Sequence, residues 1–310
     1  MTLSAADDQR HTPDSDAPTW SESWVFYFID SRQKLCCITR IGLAPNKGTC
    51  SVMVAMSRKG KPLYHRHLEH LPLPGGDMQS GIGAGGFEIR ALSLEEHRFQ
   101  ISFDDPTAPL QFNFEWAGVH EPADSIGLHL PRGVAGLSDM HIEQMGRISG
   151  SMKYRDERFD LAGMGPRDHS VGTRQWESMI WYDLAWVLMD DGRAFGLIQA
   201  QQEKGLVQIP WLWDGERLLP LSGMQFNKTL DGEDRPVSVN ITACDPQGRQ
   251  YHLTGTRRTS IPCFLDSYVV HSAYFDFVLD DGARGIGAEE YGYRMGEIHL
   301  RKSPLAVRRS

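Results

Sequence analysis

Apolar and polar residues alternate along most of the chain, in runs too short and too regular for helices. Residues 20–29 (WSESWVFYFI) set the pattern: Glu22, Trp24, Phe26 and Phe28 fall on one face, and Ser23, Val25, Tyr27 and Ile29 on the other. Similar segments follow at 35–43, 49–56, 87–92, 98–103, 110–116 and 141–148, separated by glycine and proline turns. Only Ser93 to His97 hints at a helical turn. In the second half the same spacing predicts strands at 178–189, 194–201, 206–213, 237–243, 250–257, 267–279 and 287–294. Asp190-Asp191-Gly192-Arg193 and Asp280-Asp281-Gly282 carry hairpin chemistry. So many short strands at even spacing indicate an all-β sandwich or barrel. The glycine run 81–86 is followed by neither a long helix nor a P-loop lysine, and is expected to be a flexible turn.

Two halves of the pattern resemble each other. Glu22-Ser23-Trp24-Val25-Phe26-Tyr27 reappears as Glu177-Ser178-Met179-Ile180-Trp181-Tyr182, and Arg40 to Leu43 is echoed in Arg193 to Leu197. Near the end of each half, Glu143 to Gly150 matches Glu289 to Gly296, which sets Glu143 against Glu289 and Gln144 against Glu290. The shared order points to a tandem repeat of a unit of about 150 residues, the size of an eight-stranded calycin barrel with room for one apolar ligand. The expected organisation is a disordered leader over 1–19, one barrel over 20–160, a second over 161–302 and a loose basic tail over 303–310.

Composition narrows the partners. With 32 Lys and Arg against 40 Asp and Glu, the formal charge of −8 argues against nucleic acid and gives no reason to adhere to anionic membranes. No apolar run approaches the ~20 residues of a membrane span. Residues 1–19 lack the apolar core of a secretory signal. Cys36, Cys37, Cys50, Cys244 and Cys263 are odd in number and lack metal-ligand spacing, so free thiols in a cytoplasmic setting are expected.

The densest chemistry lies mid-chain, in Gly163-Met164-Gly165-Pro166-Arg167-Asp168-His169-Ser170-Val171-Gly172-Thr173-Arg174-Gln175-Trp176. The flanking glycines suggest a charged cluster held between turns, at the junction of the two barrels and carried by the second. A buried carboxylic acid stays protonated because low dielectric penalises its charge, so Asp168 is the candidate acid, with His169 to orient or reprotonate it. Arg167 or Arg174 could instead neutralise Asp168 as a structural ion pair. Asp168, His169 and Ser170 are consecutive and no nucleophile elbow occurs, which excludes a Ser-His-Asp hydrolase. His141, Glu143 and His169 lack the spacing of a metal motif, and neither metal nor cofactor is expected. Trp24, Trp176, Trp181 and Tyr182 offer aromatic faces, while His141, Glu143, Asp183 and Glu290 are further polar candidates for a substrate site.

The central motif resembles the G-x-R-D-H-S-W-G-x-R-D-W pattern of a group similar to the carotenoid 1,2-hydratase (hydroxyneurosporene synthase) and AttH-like superfamily. Glu22-Ser23-Trp24, Arg40 to Leu43, His141 to Gln144 and Glu290 to Arg294 also resemble that group, from about Trp20 to Arg301. Val171 stands where tryptophan is usual and Gln175 where aspartate is usual, so the histidine-x-tryptophan pair associated with the hydratases is broken. The resemblance implies a double lipocalin-like fold and an enzyme that hydrates, isomerises or cyclises a bulky apolar molecule of isoprenoid, steroid-like or polyketide type. Asp168, His169 and Glu290 are its expected catalytic residues. A non-catalytic carrier of the same ligands is the alternative, and a homodimer is compatible with either.

Overall fold

A computed structural model describes residues 3–131, 138–174, 178–265, 268–294 and 306–308. These form two compact units, one ending at Arg174 and the other taking up most of the chain beyond it. The first unit contains β1 (Trp20–Asp30), β2 (Leu35–Ala44), β3 (Thr49–Arg58), β4 (Lys61–Pro72), β5 (Ile82–Ala84), β6 (Phe87–Ser93), β7 (Arg98–Asp104), β8 (Leu110–Gly118), β9 (Ala123–Asp124), β10 (Met140–Tyr154) and β11 (Glu157–Thr173). Its sheet runs β4-β3-β2-β1-β11-β10-β8-β7-β6-β5, with β9 on the side of β10. The second contains β12 (Met179–Met189), β13 (Ala194–Gln202), β14 (Gly205–Gln208), β15 (Trp211–Trp213), β16 (Leu218–Pro220), β17 (Gly223–Leu230), β18 (Pro236–Cys244), β19 (Gln250–Leu265), β20 (Tyr268–Leu279), β21 (Arg284–Arg294) and β22 (Ala306–Arg308). Its sheet runs β16-β15-β13-β12-β21-β20-β19-β18-β17-β22, with β14 beside β13. Both are curled, nearly closed sheets, antiparallel throughout except where β22 joins β17, so the fold is all-β with two tandem barrels. Among the described residues no helix is long and apolar enough to cross a membrane.

Alternation decides which side chains enter each barrel. Trp24, Phe26 and Phe28 of β1 join Phe99, Phe114 and Trp116 in the core of the first. Ala185, Val187 and Met189 of β12 join Phe195, Phe275 and Phe277 in the second. Cys36 and Cys37 follow the same rule, with Cys37 in the core and Cys36 on the opposite face. All five cysteines are thiols, and burial pushes that of Cys36 up to about 12. The two hairpins turn at Gly192 and Gly282, both at positive φ.

Several expectations change. The central motif is not a loop but the last part of β11, a strand of 17 residues. Its glycines serve close approach: a Cβ on Gly163 or Gly165 would stand 1.9 or 2.0 Å from the carbonyl oxygens of Ile29 and Tyr27. Of the motif's glycines only Gly172 has positive φ, and there a Cβ would strike the Asp139 carboxylate. Because β11 pairs with both β1 and β10, the boundary expected at 160 falls inside a strand of the first unit.

The leader is also built into the first unit. Ala5–Asp8 form a 3-10 turn, capped by Ser4 and Asp7. Leu3 packs on Trp20, Met140, Ile142 and Val171, and Ala5 on the main core. Arg10 donates to the carbonyls of Pro74 and Gly76, and Asn46 to those of Ser15 and Ala17. From the tail, Ala306–Arg308 pair in parallel with β17, and its other residues lie outside the described ones.

The repeat is real, but its matching differs. Gly285 and Gly287 of β21 press on the carbonyls of Leu188 and Trp186 as Gly163 and Gly165 press on those of Ile29 and Tyr27. The counterpart of β11 is therefore β21, and that of β10 is β20. Arg167 then corresponds to Glu289, His169 to Tyr291 and Trp24 to Asp183. Glu143 and Glu289, which the sequence pattern sets against each other, sit on strands that are not equivalent.

Candidate functional site

A strand sends successive side chains to opposite faces, so β11 divides the motif into two clusters. Arg167 and His169 point into the first barrel, while Asp168 and Ser170 point out of it. Asp168 and His169 therefore cannot act as a pair, and Arg167 cannot neutralise Asp168.

The outward cluster is built from two cross-strand rows. Glu143, Asp168, Val25 and Arg40 lie side by side across β10, β11, β1 and β2; the next row is His141, Ser170, Ser23 and Gly42. His141 Nδ1 is 2.6 Å from Ser170 Oγ, and that hydroxyl lies 3.4 Å from Asp168 Oδ1. His141 Nε2 faces Glu143 at 3.6 Å. Arg174, just past the strand, donates to Ser23 Oγ at 3.2 Å, and Arg40 donates to Ser51 Oγ at 3.0 Å. Asp168 is buried, and desolvation raises its pKa against the opposing charges of His141 and Arg174. Burial works against the charge on His141, but the carboxylate of Glu143, with Asp168 beside it, outweighs this and raises its pKa. Both groups thus hold protons more strongly than in water, with a hydroxyl between them.

The inward cluster centres on Arg167, which is fully buried. Its two terminal nitrogens donate to Asp8 at 2.7 and 2.6 Å, and its Nε donates to Gln144 at 3.0 Å. The guanidinium lies over Phe99 and Trp116 at 4.7 and 5.3 Å. Although burial favours the neutral acid, Arg167 holds the Asp8 carboxyl well below the usual carboxylate range. His169 stacks on Trp24 at 4.5 Å, with Nδ1 3.3 Å from Asp8 and Nε2 2.9 Å from Glu22. His120 closes the far side: its Nδ1 donates to the Glu121 carbonyl and its Nε2 accepts from the Met145 N–H. Burial pushes it down to about 4, in keeping with that neutral tautomer.

The candidates of the second unit divide in the same way. Tyr182 donates to Glu290 at 3.1 Å on the outer face of its sheet. Asp183 points inward, where Lys228 donates to it and Gln199 donates at 2.9 Å. Trp181 packs with Leu230, Tyr291 and Tyr293. Trp176 lies outside the described residues. The metal set weighed in the sequence, His141, Glu143 and His169, is split by the sheet. Among the described residues the donors that converge are His11, Glu22 and His169.

Sequence reasoning missed several polar residues. Asp8 and His11 lay in a segment expected to be disordered. Glu289 was noted only as the repeat partner of Glu143, yet neither of its oxygens has a hydrogen-bond partner among the described residues. Burial, reinforced by Glu290 and opposed by Lys228, raises it to about 8. A carboxyl that folding holds protonated contributes stability that is complete below its unfolded value and lost as pH rises through the folded one. Glu289→Gln is therefore expected to flatten the decline in stability between about pH 4.5 and 8, as urea midpoints across that range would report. An unchanged slope would mean that Glu289 is already ionised in the fold.

Comparison with known proteins follows this geometry. Among curated proteins no sequence matches the chain. Solved structures do, including an AttH-type protein of Nitrosomonas europaea at 15% identity and TM-score 0.64, covering 88% of this chain and 92% of that one. Kievitone hydratase from Nectria haematococca matches at 9% identity and TM-score 0.60, over 88% of each chain. CghA with Sch210972 matches at 9% identity and TM-score 0.61, over 89% of each chain. At such identities the likeness establishes the fold. The family model described as a domain of unknown function, DUF7064, matches residues 4–293, and the chain belongs to that family.

Proposed function

We propose that the protein is an enzyme that hydrates, isomerises or cyclises a bulky apolar small molecule of isoprenoid, steroid-like or polyketide type by proton transfer from Asp168. The observation that carries this reading is the placing of the Ser170 hydroxyl between Asp168 and His141 on one buried face, with both ionisable groups shifted towards their protonated forms. Protonating an alkene carbon needs an acid that is still protonated near neutral pH, and burial supplies it. Asp168 gives its proton to carbon, and a water or an internal double bond captures the cation. In hydration the added water, and in isomerisation or cyclisation the final carbocation, then loses a proton to the Asp168 carboxylate, so the acid is regenerated. Ser170 can pass protons between Asp168 and His141, which keeps the acid loaded between turnovers. Arg40 and Arg174 flank the acid and offer donors to an oxygen of the substrate. That a hydratase shares this fold favours the same class of chemistry.

The test starts from native mass spectrometry of the purified protein, to identify a retained apolar ligand. That ligand and its unsaturated analogues are then incubated with catalytic amounts of protein. Enzyme action gives a product that is isomeric or heavier by one water, over many turnovers. A carrier binds stoichiometrically and returns its ligand unchanged, and that result would remove the catalytic reading.

A further inference from the structure

The inward cluster has the donor set of a metal centre, separate from the acid–base face. Two imidazoles and one carboxylate converge at the end of the first barrel: His11 Nδ1 is 2.8 Å and His169 Nε2 2.9 Å from the same Glu22 oxygen. One donor atom from each of the three lies within 4.8 Å of the others. An ion about 2.1 Å from each donor sets edges of about 3.0 Å in an octahedron and about 3.4 Å in a tetrahedron. The two measured edges thus lie close to the octahedral value and about half an ångström short of the tetrahedral one.

The surroundings are those that orient ligands. His169 turns Nδ1 to the Asp8 carboxylate, which leaves Nε2 to a metal; such carboxylate–histidine pairs fix tautomer and ring orientation at metal sites. Trp24 stacks against the same ring. Glu22 is oriented by the backbone N–H of His11, at 3.1 and 3.2 Å from its two oxygens. Charge agrees as well: Asp8 is matched by Arg167, whereas Glu22 is fully buried with only the two histidines as partners for its charge among the contacts described. His11, at 30% side-chain exposure, marks the open side. The family match begins at residue 4, so the segment that brings in Asp8 and His11 is part of the domain.

We propose that His11, Glu22 and His169 bind one divalent transition-metal ion of the Zn(II) or Fe(II) class, with open positions beside His11, and that the ion ties the N-terminal segment to the barrel. Binding displaces the protons that the imidazoles share with Glu22.

The test uses the full chain, free of any affinity tag, stripped with a chelator and titrated with Co(II) and then Zn(II). Uptake of one equivalent of Co(II) with visible d–d absorption, displaced by Zn(II), is expected, as is a thermal midpoint that rises with free Zn(II). His11→Ala removes the most exposed donor without opening the core, and Glu22→Gln removes the shared oxygen's charge. Each should weaken binding by about 100-fold while near-UV dichroism stays that of the wild type. The proposal falls if the wild type takes up no stoichiometric metal, or if both variants bind it as the wild type does. A hydrogen-bonded network alone would give the first of these results.

Discussion

Asp8→Ala is expected to destabilise the first unit by about 3–5 kcal/mol, the loss typical of removing one partner from a buried ion pair. The energy comes from what remains rather than from what is lost. Arg167 is fully buried and cannot shed its charge, because the delocalised guanidinium is not deprotonated in proteins. Gln144 and the faces of Phe99 and Trp116 would be left to solvate it alone. Arg167→Met combined with Asp8→Ala should therefore be more stable than Asp8→Ala by itself, since an apolar side chain of similar length needs no counter-charge. The pH dependence has a definite sign. With its pKa depressed in the fold, Asp8 contributes its full share above the unfolded value of about 3.9 and loses it as pH falls further. Wild-type stability should fall steeply below about pH 4, and Asp8→Asn should lose that part of the slope. Urea denaturation followed by tryptophan fluorescence reads all three variants, and a wild-type midpoint for Asp8→Ala would refute the account.

That the largest stability effect originates in a segment expected to be disordered shows where sequence patterns stop being informative. Where alternation is strong, as in β1, β2, β7 and β13, the strands were visible to within a residue or two, because a two-residue period in Trp, Phe, Val and Ile admits few other structures. It failed where the pattern was absent. β4 buries no side chain fully, and its Lys, His and Glu residues carry no apolar period, as suits an edge strand. The motif strand failed for the opposite reason: polar residues occupy both of its faces, and its glycines read as turns. Only the sheet shows that they let β11 lie close against β1. Asp8 and His11 sit in a stretch of Ser, Asp, Thr and Pro whose composition suits disorder. What orders it is the need of two buried side chains, Arg167 and His169, for partners more than a hundred residues away. The motif was legible as a concentration of chemistry, but its division between two faces, and the choice of His141 as partner to Asp168, came only from the register.

Asp168→Asn should lower kcat by about 100- to 10,000-fold with little change in KM, the range general acid catalysis supplies. The substitution is nearly isosteric and keeps an oxygen for Ser170, so the fold should be unaffected. An amide, however, cannot protonate carbon. Ser170→Ala should cost less, because it breaks the path between Asp168 and His141 but leaves the acid in place. The pH profile separates the roles. Desolvation raises Asp168, and the acid works only while protonated, so wild-type activity should be present at the acidic side and fall as pH rises through its shifted value. His141 is raised as well, through Glu143 and Asp168, so it too is protonated on the acidic side. His141→Gln removes a positive charge that holds Asp168 down, which should push the acid higher still and carry the falling limb to higher pH, with a lower plateau. His169 faces the barrel interior, so His169→Gln should leave the position of this limb where it is, whatever it does to stability. A limb that moves with His169 but not with His141 would place the proton donor inside the barrel, and the outward face would lose its claim to the chemistry.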